Sequence, residues 1–145
     1  MDFLLGRYLY AVDHKGRIAV PPPLRRVLGE DRTLVLKEGL DRCLELYPKE
    51  RFQQVEEKVL QPWNGDEDVR AFQLAWHFNA TTVTVDGQGR ITIPPALIDR
   101  AELGKEAVLL GQGSRFEIWN VDRLQAKVDE VQPRYQALAK KVFTP

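Results

Sequence analysis

Apolar and polar residues alternate along two separate stretches of the chain. The apolar positions are Tyr8, Tyr10, Val12, Ile18 and Val20 in the first stretch, and Val83, Val85, Ile91 and Ile93 in the second. A period of two residues is typical of β-strands with one buried face, and the Asp and Gly residues that interrupt each stretch are typical of tight turns. Each stretch therefore predicts a β-hairpin.

Prolines follow the second strand of each predicted hairpin, at 21–23 and 94–95. A proline in the first turn of a helix costs no hydrogen bond, so we expect a short helix after each hairpin, one through Leu28 and the other through Ala101. Two further strands are expected in each half, at 33–37 and 43–47 and at 107–110 and 115–119.

Helical spacing of apolar residues predicts helices between the two hairpin units and at the end of the chain. The helices between the units carry Phe52, Val55 and Val59 and then Val69, Phe72 and Trp76, with Pro62, Gly65 and Asp66 separating them. The tail carries Leu124, Val128, Val131, Tyr135, Leu138 and Val142 in steps of four and three residues, interrupted by Pro133. We expect the tail helices to pack on their own domain, and an intersubunit coil is the alternative.

An internal repeat organises these elements. Residues 12–28 read VDHKGRIAVPPPLRRVL and residues 85–101 read VDGQGRITIPPALIDRA, at a constant spacing of 73 residues, and LELYP at 44–48 matches FEIWN at 116–120. A unit of about 50 residues standing alone buries too little apolar surface to be comfortably stable. We therefore predict an α+β fold in which the two repeats share one pseudo-symmetric β-barrel with peripheral helices. The corresponding segments are a first repeat at 1–53, linker helices at 54–78, a second repeat at 79–124 and a helical tail at 125–145.

The composition limits the ways in which the chain can bind nucleic acid or a membrane. It has 21 basic and 21 acidic residues, so no overall field attracts nucleic acid, and affinity for DNA would have to come from local clusters. No apolar run is long enough to span a membrane, and a single cysteine, Cys43, cannot form an internal disulfide. We expect a cytoplasmic protein.

One motif, D-x-x-G-R, occupies the turn of each predicted hairpin. Its residues are Asp13, Gly16 and Arg17 in the first repeat and Asp86, Gly89 and Arg90 in the second. Turn chemistry accounts for Asp, which folds back onto backbone amides, and for Gly, which accepts a positive φ, but it does not require Arg in both copies. Each arginine either pairs with its own aspartate or with solvent, or it binds DNA. A guanidinium offers five fixed donors to a phosphate or a guanine edge, and a two-stranded ribbon fits the major groove.

Residues beside the motif extend the DNA hypothesis. The first turn also carries His14 and Lys15, whereas the second carries Gln88, so we expect the first turn to contribute more. Other basic residues, which either extend this positive face or are simply solvated, are Arg7, Arg25 and Arg26.

Candidates for catalysis are few. They are His14, His77 and Cys43 with scattered carboxylates. These residues do not supply an identifiable nucleophile, base and pocket. One cysteine and two distant histidines cannot form a zinc site, and the glycines of LLGQGSRF lack the Lys-Ser/Thr ending of a phosphate loop. We expect no enzymatic activity, no metal and no cofactor. The alternative to DNA binding is an antidote-like module that binds a partner protein through residues 121–145.

The sequence resembles the MraZ family, whose members look like two fused copies of the AbrB-type swapped-hairpin fold. The matching stretches are GRYLYAVDHKGRIAVPPPLRR, LVLKEGLDRCLELYP, RAFQLAWHFNA, VDGQGRITIPPALI and VLLGQGSRFEIW. The resemblance implies a transcription factor that interleaves its halves in one barrel, assembles into a closed ring and is associated with the nucleoid. It also implies binding to double-stranded DNA at repeated promoter boxes of the cell-division and cell-wall gene cluster, including its own promoter. Carried over residue by residue, it implies functional arginines at Arg17 and Arg90, acidic partners at Asp13 and Asp86, and a supporting Lys15.

Overall fold

The structure is a computed structural model that describes residues 3–61 and 64–144. Its strands are β1 (Arg7–Ala11), β2 (Arg17–Ala19), β3 (Thr33–Glu38), β4 (Leu44–Pro48), β5 (Thr81–Thr84), β6 (Arg90–Thr92), β7 (Glu106–Gly111) and β8 (Phe116–Trp119). Its helices are α1 (Pro22–Arg25), α2 (Lys49–Leu60), α3 (Glu67–Phe78), α4 (Pro95–Ala101), α5 (Val121–Val131) and α6 (Tyr135–Phe143), with 3₁₀ turns at Leu40–Arg42 and Gln132–Arg134. The predicted α+β class is confirmed.

The strands pair between the repeats rather than within them. Six strands form an antiparallel sheet in the order β1-β7-β8-β4-β3-β5, and β2 and β6 form a two-stranded ribbon. The register of β1 on β7 is the same as that of β5 on β3, since Ala11 faces Glu106 and its counterpart Thr84 faces Thr33. The predicted hairpin pairing is therefore wrong. The two strands joined by each D-x-x-G-R turn separate, one into the sheet and the other into the ribbon.

A pseudo-two-fold axis relates the two repeats. It passes between Ile18 and Ile91, which face each other at the centre of the ribbon. It also passes between Glu45 and Glu117, which face each other where β4 pairs with β8. Because equivalent residues meet at both points, each repeat completes the other.

Residues of the sheet and of the ribbon pack together in one hydrophobic core. Its fully buried members from both repeats include Ile18, Leu34, Leu36, Leu44, Leu46, Ile91, Ile93, Leu109, Phe116 and Ile118. Successive side chains of a strand point to opposite faces, so burial of Ile18 and Ile91 sends the residues beside them outward. In the described residues β1 and β5 remain the two edges of the sheet, so strand pairing does not close the predicted barrel.

The short helices differ in where they end. Helix α4 ends at Ala101 as predicted, where Glu102 adopts a left-handed conformation with φ +52° and the amide of Leu103 donates to the carbonyl of Ile98. Helix α1 ends at Arg25 instead of Leu28. The amides of the next turns bond carbonyls only three residues back, so the chain continues as tighter turns and not as α-helix.

Two long helices cover part of the outer face of the sheet, as predicted. Phe52 of α2 stacks on Trp76 of α3 with ring centroids 6.3 Å apart, and it also meets Tyr47 of β4 edge-on. Asp66 caps α3 by accepting from the amides of Asp68 and Val69. The predicted helix breaker Pro62 lies outside the described residues. Across residues 3–61 and 64–144, no helix combines the length and the apolar character that a membrane crossing requires.

The tail helices behave differently from each other. Leu124 of α5 is buried against Val108 and Trp119, so α5 packs on its own domain as expected. Helix α6 does not, because Val142 and Phe143 are 74% and 83% exposed. The expected packing of the whole tail is therefore wrong for α6, which follows the 3₁₀ turn at Gln132–Arg134 away from the sheet.

A buried charge cluster lies where the axis crosses the sheet. Glu45 and Glu117 are both buried, and like charges directly opposite each other on neighbouring strands repel. Arg115 ion-pairs with both carboxylates, with Nε 3.2 Å from Glu45 and Nη2 2.8 Å from Glu117. The Tyr47 hydroxyl donates to Glu45 and the Trp119 indole N–H donates to Glu117. The ammonium of Lys37, which is also buried, lies 3.7 Å from Glu45. Arg115 is thus the cation that joins the two opposed carboxylates, and Lys37 adds a second positive charge beside Glu45.

The shared core makes a prediction about cooperativity. Leu36 and Leu109 are equivalent residues and both are fully buried. We expect Leu36→Ala and Leu109→Ala each to lower the free energy of unfolding by about 2–5 kcal/mol while keeping a single transition. Urea unfolding followed by circular dichroism and by tryptophan fluorescence checks this. The control is Leu40→Ala, whose side chain is 81% exposed. Two separate transitions in either core variant would show that the repeats fold independently.

The charge cluster makes a second prediction. We expect Arg115→Met to lower the free energy of unfolding by about 3–5 kcal/mol, because it leaves the buried Glu117 without a cation and leaves Glu45 with Lys37 alone, 3.7 Å away. Adding Glu117→Gln should recover most of that loss, since only one carboxylate then remains and the glutamine can still accept from Trp119. Chemical denaturation of the single and double variants at neutral pH measures both effects. A stable Arg115→Met protein would mean that the cluster is not held by Arg115.

Candidate nucleic-acid interface

The two D-x-x-G-R turns lie side by side. The amide of Val20 donates to the carbonyl of Gly89 at 2.8 Å, and the amide of Ile93 donates to the carbonyl of Gly16 at 2.8 Å. Each strand of the ribbon therefore runs directly against the turn of the other repeat. Because the strands are exchanged between the repeats, the two turns form one surface.

Each turn is folded by its aspartate. Asp13 accepts through Oδ1 from the amides of Lys15 and Arg17 at 2.9 and 2.8 Å. Asp86 accepts in the same way from the amides of Gln88 and Arg90 at 2.9 and 3.0 Å. These bonds match the turn chemistry predicted for Asp.

The glycine of each turn adopts a conformation that other residues rarely take. Gly16 and Gly89 both have φ +78°. A Cβ on Gly16 would also lie 2.8 Å from the carbonyl oxygen of Ile93, which is too close. The positive φ and the neighbouring strand together account for Gly at this position.

The two arginines lie on the outer face of the ribbon. Arg17 is directly opposite Thr92 and Arg90 is directly opposite Ala19, so the two arginines are diagonal neighbours about 7–8 Å apart at the backbone. Arg17 donates through Nε to Asp13 at 2.6 Å, and Arg90 donates through Nε to Asp86 at 3.3 Å.

A further ion pair joins the two turns, since Nη1 of Arg90 lies 4.0 Å from Oδ2 of Asp13. Across the described residues the terminal amino groups of Arg17 and Arg90 make no hydrogen bond, and their side chains are 30% and 29% exposed. Each arginine is therefore held at Nε by the aspartate of its own turn. In the described residues the terminal nitrogens of Arg17 have no partner, and Nη1 of Arg90 has only the long ion pair with Asp13.

The hydrogen bonds of the turns keep both aspartates ionised. The pKa of Asp13 is lowered to about 2, first by the backbone N–H of Arg17 and then by the Arg17 side chain and the amide of Lys15. The pKa of Asp86 is lowered mainly by the backbone N–H of Arg90. Because both aspartates stay negatively charged, the hydrogen bonds that orient Arg17 and Arg90 persist at acidic pH.

The other predicted residues take different positions around this surface. His14, Lys15 and Gln88 are exposed at the tips of the two turns. Arg7 belongs elsewhere, because it lines a groove beside α5. Arg26 is exposed after α1.

Two arginines of the first repeat support the second turn. A Cβ placed on Gly89 would lie 3.4 Å from Cδ and Nη1 of Arg25, so the Arg25 side chain rests on this turn. Arg32 donates to the carbonyl oxygens of Val85 and Asp86 at 3.2 and 3.3 Å. The sequence gives no sign of these contacts, because they depend on which strands cross.

The residues considered for catalysis do not gather into a site. Cys43 is buried, and burial raises the pKa of its thiol to about 12. His77 bonds Glu56 through Nε2 at 2.8 Å, on the contact between α2 and α3. In the part of the chain that the structure describes, no three His, Cys, Asp or Glu side chains are grouped to hold a metal ion.

The fold and the site define a duplicated, interleaved α+β protein that presents two arginine-bearing turns on one surface. The family model for MraZ protein matches residues 3–74 and 77–139. A relative from Heliobacterium modesticaldum is 40% identical over 139 residues, which is 96% of each chain. Relatives from Thermomicrobium roseum and Ligilactobacillus salivarius are 38% and 36% identical, over 97% and 96% of each chain. All three are named Transcriptional regulator MraZ. The chain belongs to the MraZ family.

The aspartate pKa values give a testable prediction. In a carbon-detected NMR titration we expect Asp13 to titrate near pH 2, below the ordinary aspartate value of about 3.9. Since the folded-state pKa is the lower one, the stability that Asp13 contributes is present above about pH 4 and is lost as the pH falls toward 2.

Arg17→Gln separates two causes of the low Asp13 pKa, the backbone N–H of residue 17 and the side chain of Arg17. It should raise the pKa of Asp13 only part of the way, because the backbone N–H of residue 17 still donates to Asp13. Asp86 serves as the internal control and should move little. An ordinary titration of Asp13 in the unsubstituted protein would contradict the hydrogen bonds described for this turn.

Proposed function

We propose that this chain is a sequence-specific, double-stranded-DNA-binding transcriptional regulator. Its targets would be repeated boxes in the promoter of the cell-division and cell-wall gene cluster, including the promoter of its own gene. It would act in the cytoplasm, in association with the nucleoid. The relatives support the regulatory role through their name, Transcriptional regulator MraZ.

The observation that carries this proposal is the pair of arginines on one ribbon. A two-stranded ribbon fits the major groove, where a guanidinium can donate to guanine O6 and N7 or to a phosphate. Arg17 and Arg90 have the open terminal donors that such contacts need, and Asp13 and Asp86 orient them without touching DNA. Gly16 and Gly89 keep the turns narrow, and the remaining proposed contacts at the tips are His14, Lys15 and Gln88.

The interleaving itself supports a swapped-hairpin barrel as the functional unit. The ribbon of β2 and β6 covers the core of the six-stranded sheet, and both turns emerge from that ribbon. We assign DNA binding to the repeats at 1–53 and 79–124, and interactions between chains to the linker at 54–78 and the tail at 125–145.

Self-association into a closed ring would supply the affinity that one chain lacks. The formal net charge is zero, so no overall field attracts DNA to the chain, and a single pair of turns offers few phosphate contacts. Several copies on neighbouring boxes gain from the effective concentration that the first contact sets. Exposed apolar side chains on α3, among them Phe72 and Phe78, provide surface for contacts between copies.

A non-enzymatic role agrees with the chemistry of the chain. Cys43 is buried, and its raised pKa leaves almost no thiolate at neutral pH. His77 is engaged with Glu56 on the helical surface. In the described residues neither side chain is grouped with a second histidine, cysteine or metal site.

The direct test is a fluorescence-anisotropy titration with the duplex upstream of the chain's own gene, at two salt concentrations. We expect Arg17→Gln and Arg90→Gln each to weaken binding by about 1–3 kcal/mol, which is roughly 5- to 150-fold. Arg100→Gln is the matched control, because it removes the same charge from a side chain that pairs with Glu38 away from the turns. Circular dichroism confirms that all variants fold.

A scrambled duplex separates base contacts from phosphate contacts. An arginine that reads a base should lose affinity mainly for the cognate duplex, whereas a phosphate contact should weaken both duplexes and reduce the salt dependence by about one ion. Equal binding by the two arginine variants and the unsubstituted protein would refute the assignment of the turns to DNA.

A further inference from the structure

The second half of the chain has an empty groove that is filled in the first half. The groove has a volume of about 360 Å³ and lies between α5 and the outer face of β1 and β7. We name it the β7–α5 groove, and its apolar lining is Leu9, Val108, Leu110, Val121, Leu124 and Val128. In a soluble protein, an apolar groove of this kind is typical of a contact surface.

The repeat identifies what occupies the corresponding position in the first half. Leu110 and Leu124 are the counterparts of Lys37 and Phe52. Trp76 of α3 covers both of those residues, stacking on Phe52 and lying with its ring 3.7 Å from the ammonium of Lys37. The first-half groove is therefore filled by a helix that contributes a large apolar side chain.

Helix α6 is the segment that corresponds to α3 in the order of elements, since each follows the helix after the last strand of its repeat. Helix α3 runs back along α2, since Gln73 donates to the carbonyl of Val59 and His77 bonds Glu56. The link between α5 and α6 is only the 3₁₀ turn Gln132–Arg134. Within the described residues α6 contacts mainly this 3₁₀ turn, so α6 does not return to the β7–α5 groove of the same chain.

The surfaces of α6 and of the groove match in their apolar residues, and the polar lining of the groove is Arg7 and Gln125. Tyr135, Val142 and Phe143 expose apolar surface on α6, and Leu9 does so in the groove. Helix α6 carries Lys140 and Lys141 and no acidic residue. Helix α5 carries three acidic and two basic residues, and in the described residues Asp122 and Asp129 have no basic partner.

We propose that the β7–α5 groove is filled by α6 of a second copy of this chain, in the position that α3 takes in the first half. Tyr135, Leu138 and Val142 would meet the apolar lining, with the lysines of α6 toward the acidic residues of α5. Repeated from copy to copy, this one-way contact satisfies every groove when a ring closes. The inference deepens the proposed self-association and rests on it, and it is independent of how the turns contact DNA.

Cysteine cross-linking of the full-length chain tests the inference. Cys43 is 1% exposed, so we expect the unsubstituted protein to form no disulfide under the same oxidation. One preparation carries Leu9→Cys in the groove and another carries Val142→Cys on α6, and the two are mixed before mild oxidation. We expect a disulfide-linked dimer of one chain of each kind. Ala137→Cys, which is exposed on the opposite face of α6, should give no such product with Leu9→Cys.

The double variant Leu9→Cys/Val142→Cys distinguishes the possible occupants. Linked species of two or more chains support a second copy, whereas a monomer with an internal disulfide would show that α6 folds back on its own groove and would overturn the proposal.

Light scattering of Val142→Asp provides a readout without cross-links. We expect its mass to fall relative to the unsubstituted protein, while Ala137→Asp keeps the original mass. If Val142→Asp remains oligomeric and the cysteine variants give no mixed disulfide, the contact between α6 and the groove is refuted, but self-association is not. A protein that is monomeric at every concentration would refute both this contact and the proposed self-association. The DNA titration of the arginine variants would then still test the role of the turns.

Discussion

The pairing of β2 with β6 is the interaction on which both the fold and the candidate site depend. Each of these strands has only three residues, and a two-stranded ribbon of that size is not stable alone in water. It persists because Ile18 and Ile91 are buried in the core formed by both repeats. The alternation of side chains then sends Arg17 and Arg90 to the opposite face. Burial of the two isoleucines thus fixes the direction of the two arginines, and the core and the site cannot be changed separately at this point.

The elements were predictable because their signals are local. Alternation located the strands, prolines and helical spacing located the helices, and the Asp and Gly residues located both turns. The partner of each strand was not predictable from alternation, which determines which face of a strand is buried but not which strand lies beside it. For this reason the expected hairpin pairing was wrong. The same limit hid the contact of Arg25 with Gly89 and the ion pair of Arg90 with Asp13, which exist only because the strands cross. Only the resemblance to the MraZ family implied that the two repeats interleave, as the strand order shows.

The axis also imposes a requirement that the sequence pattern does not display. A residue on a two-fold axis meets its own counterpart, and for Glu45 this means a second buried carboxylate, Glu117. Symmetry alone would leave these charges to repel each other. The chain resolves this by residues that break the symmetry. Arg115 ion-pairs with both carboxylates, while the equivalent position of the first repeat is Cys43. Lys37 ion-pairs with Glu45, while its counterpart in the second repeat is Leu110. Departures from the repeat are therefore informative, and the empty groove beside α5 is another of them.

The fusion of both repeats in one chain has a consequence for the surface that carries the turns. In a dimer of single repeats, every substitution would occur twice and the two turns would remain identical. Here Lys15 of the first turn corresponds to Gln88, and Arg25, which rests on the second turn, corresponds to Ile98, so the added positive charge is placed differently at the two turns while the backbone is the same. The surface consequently has a polarity, with distinguishable first and second ends. A duplex bound by such a surface does not have to be palindromic.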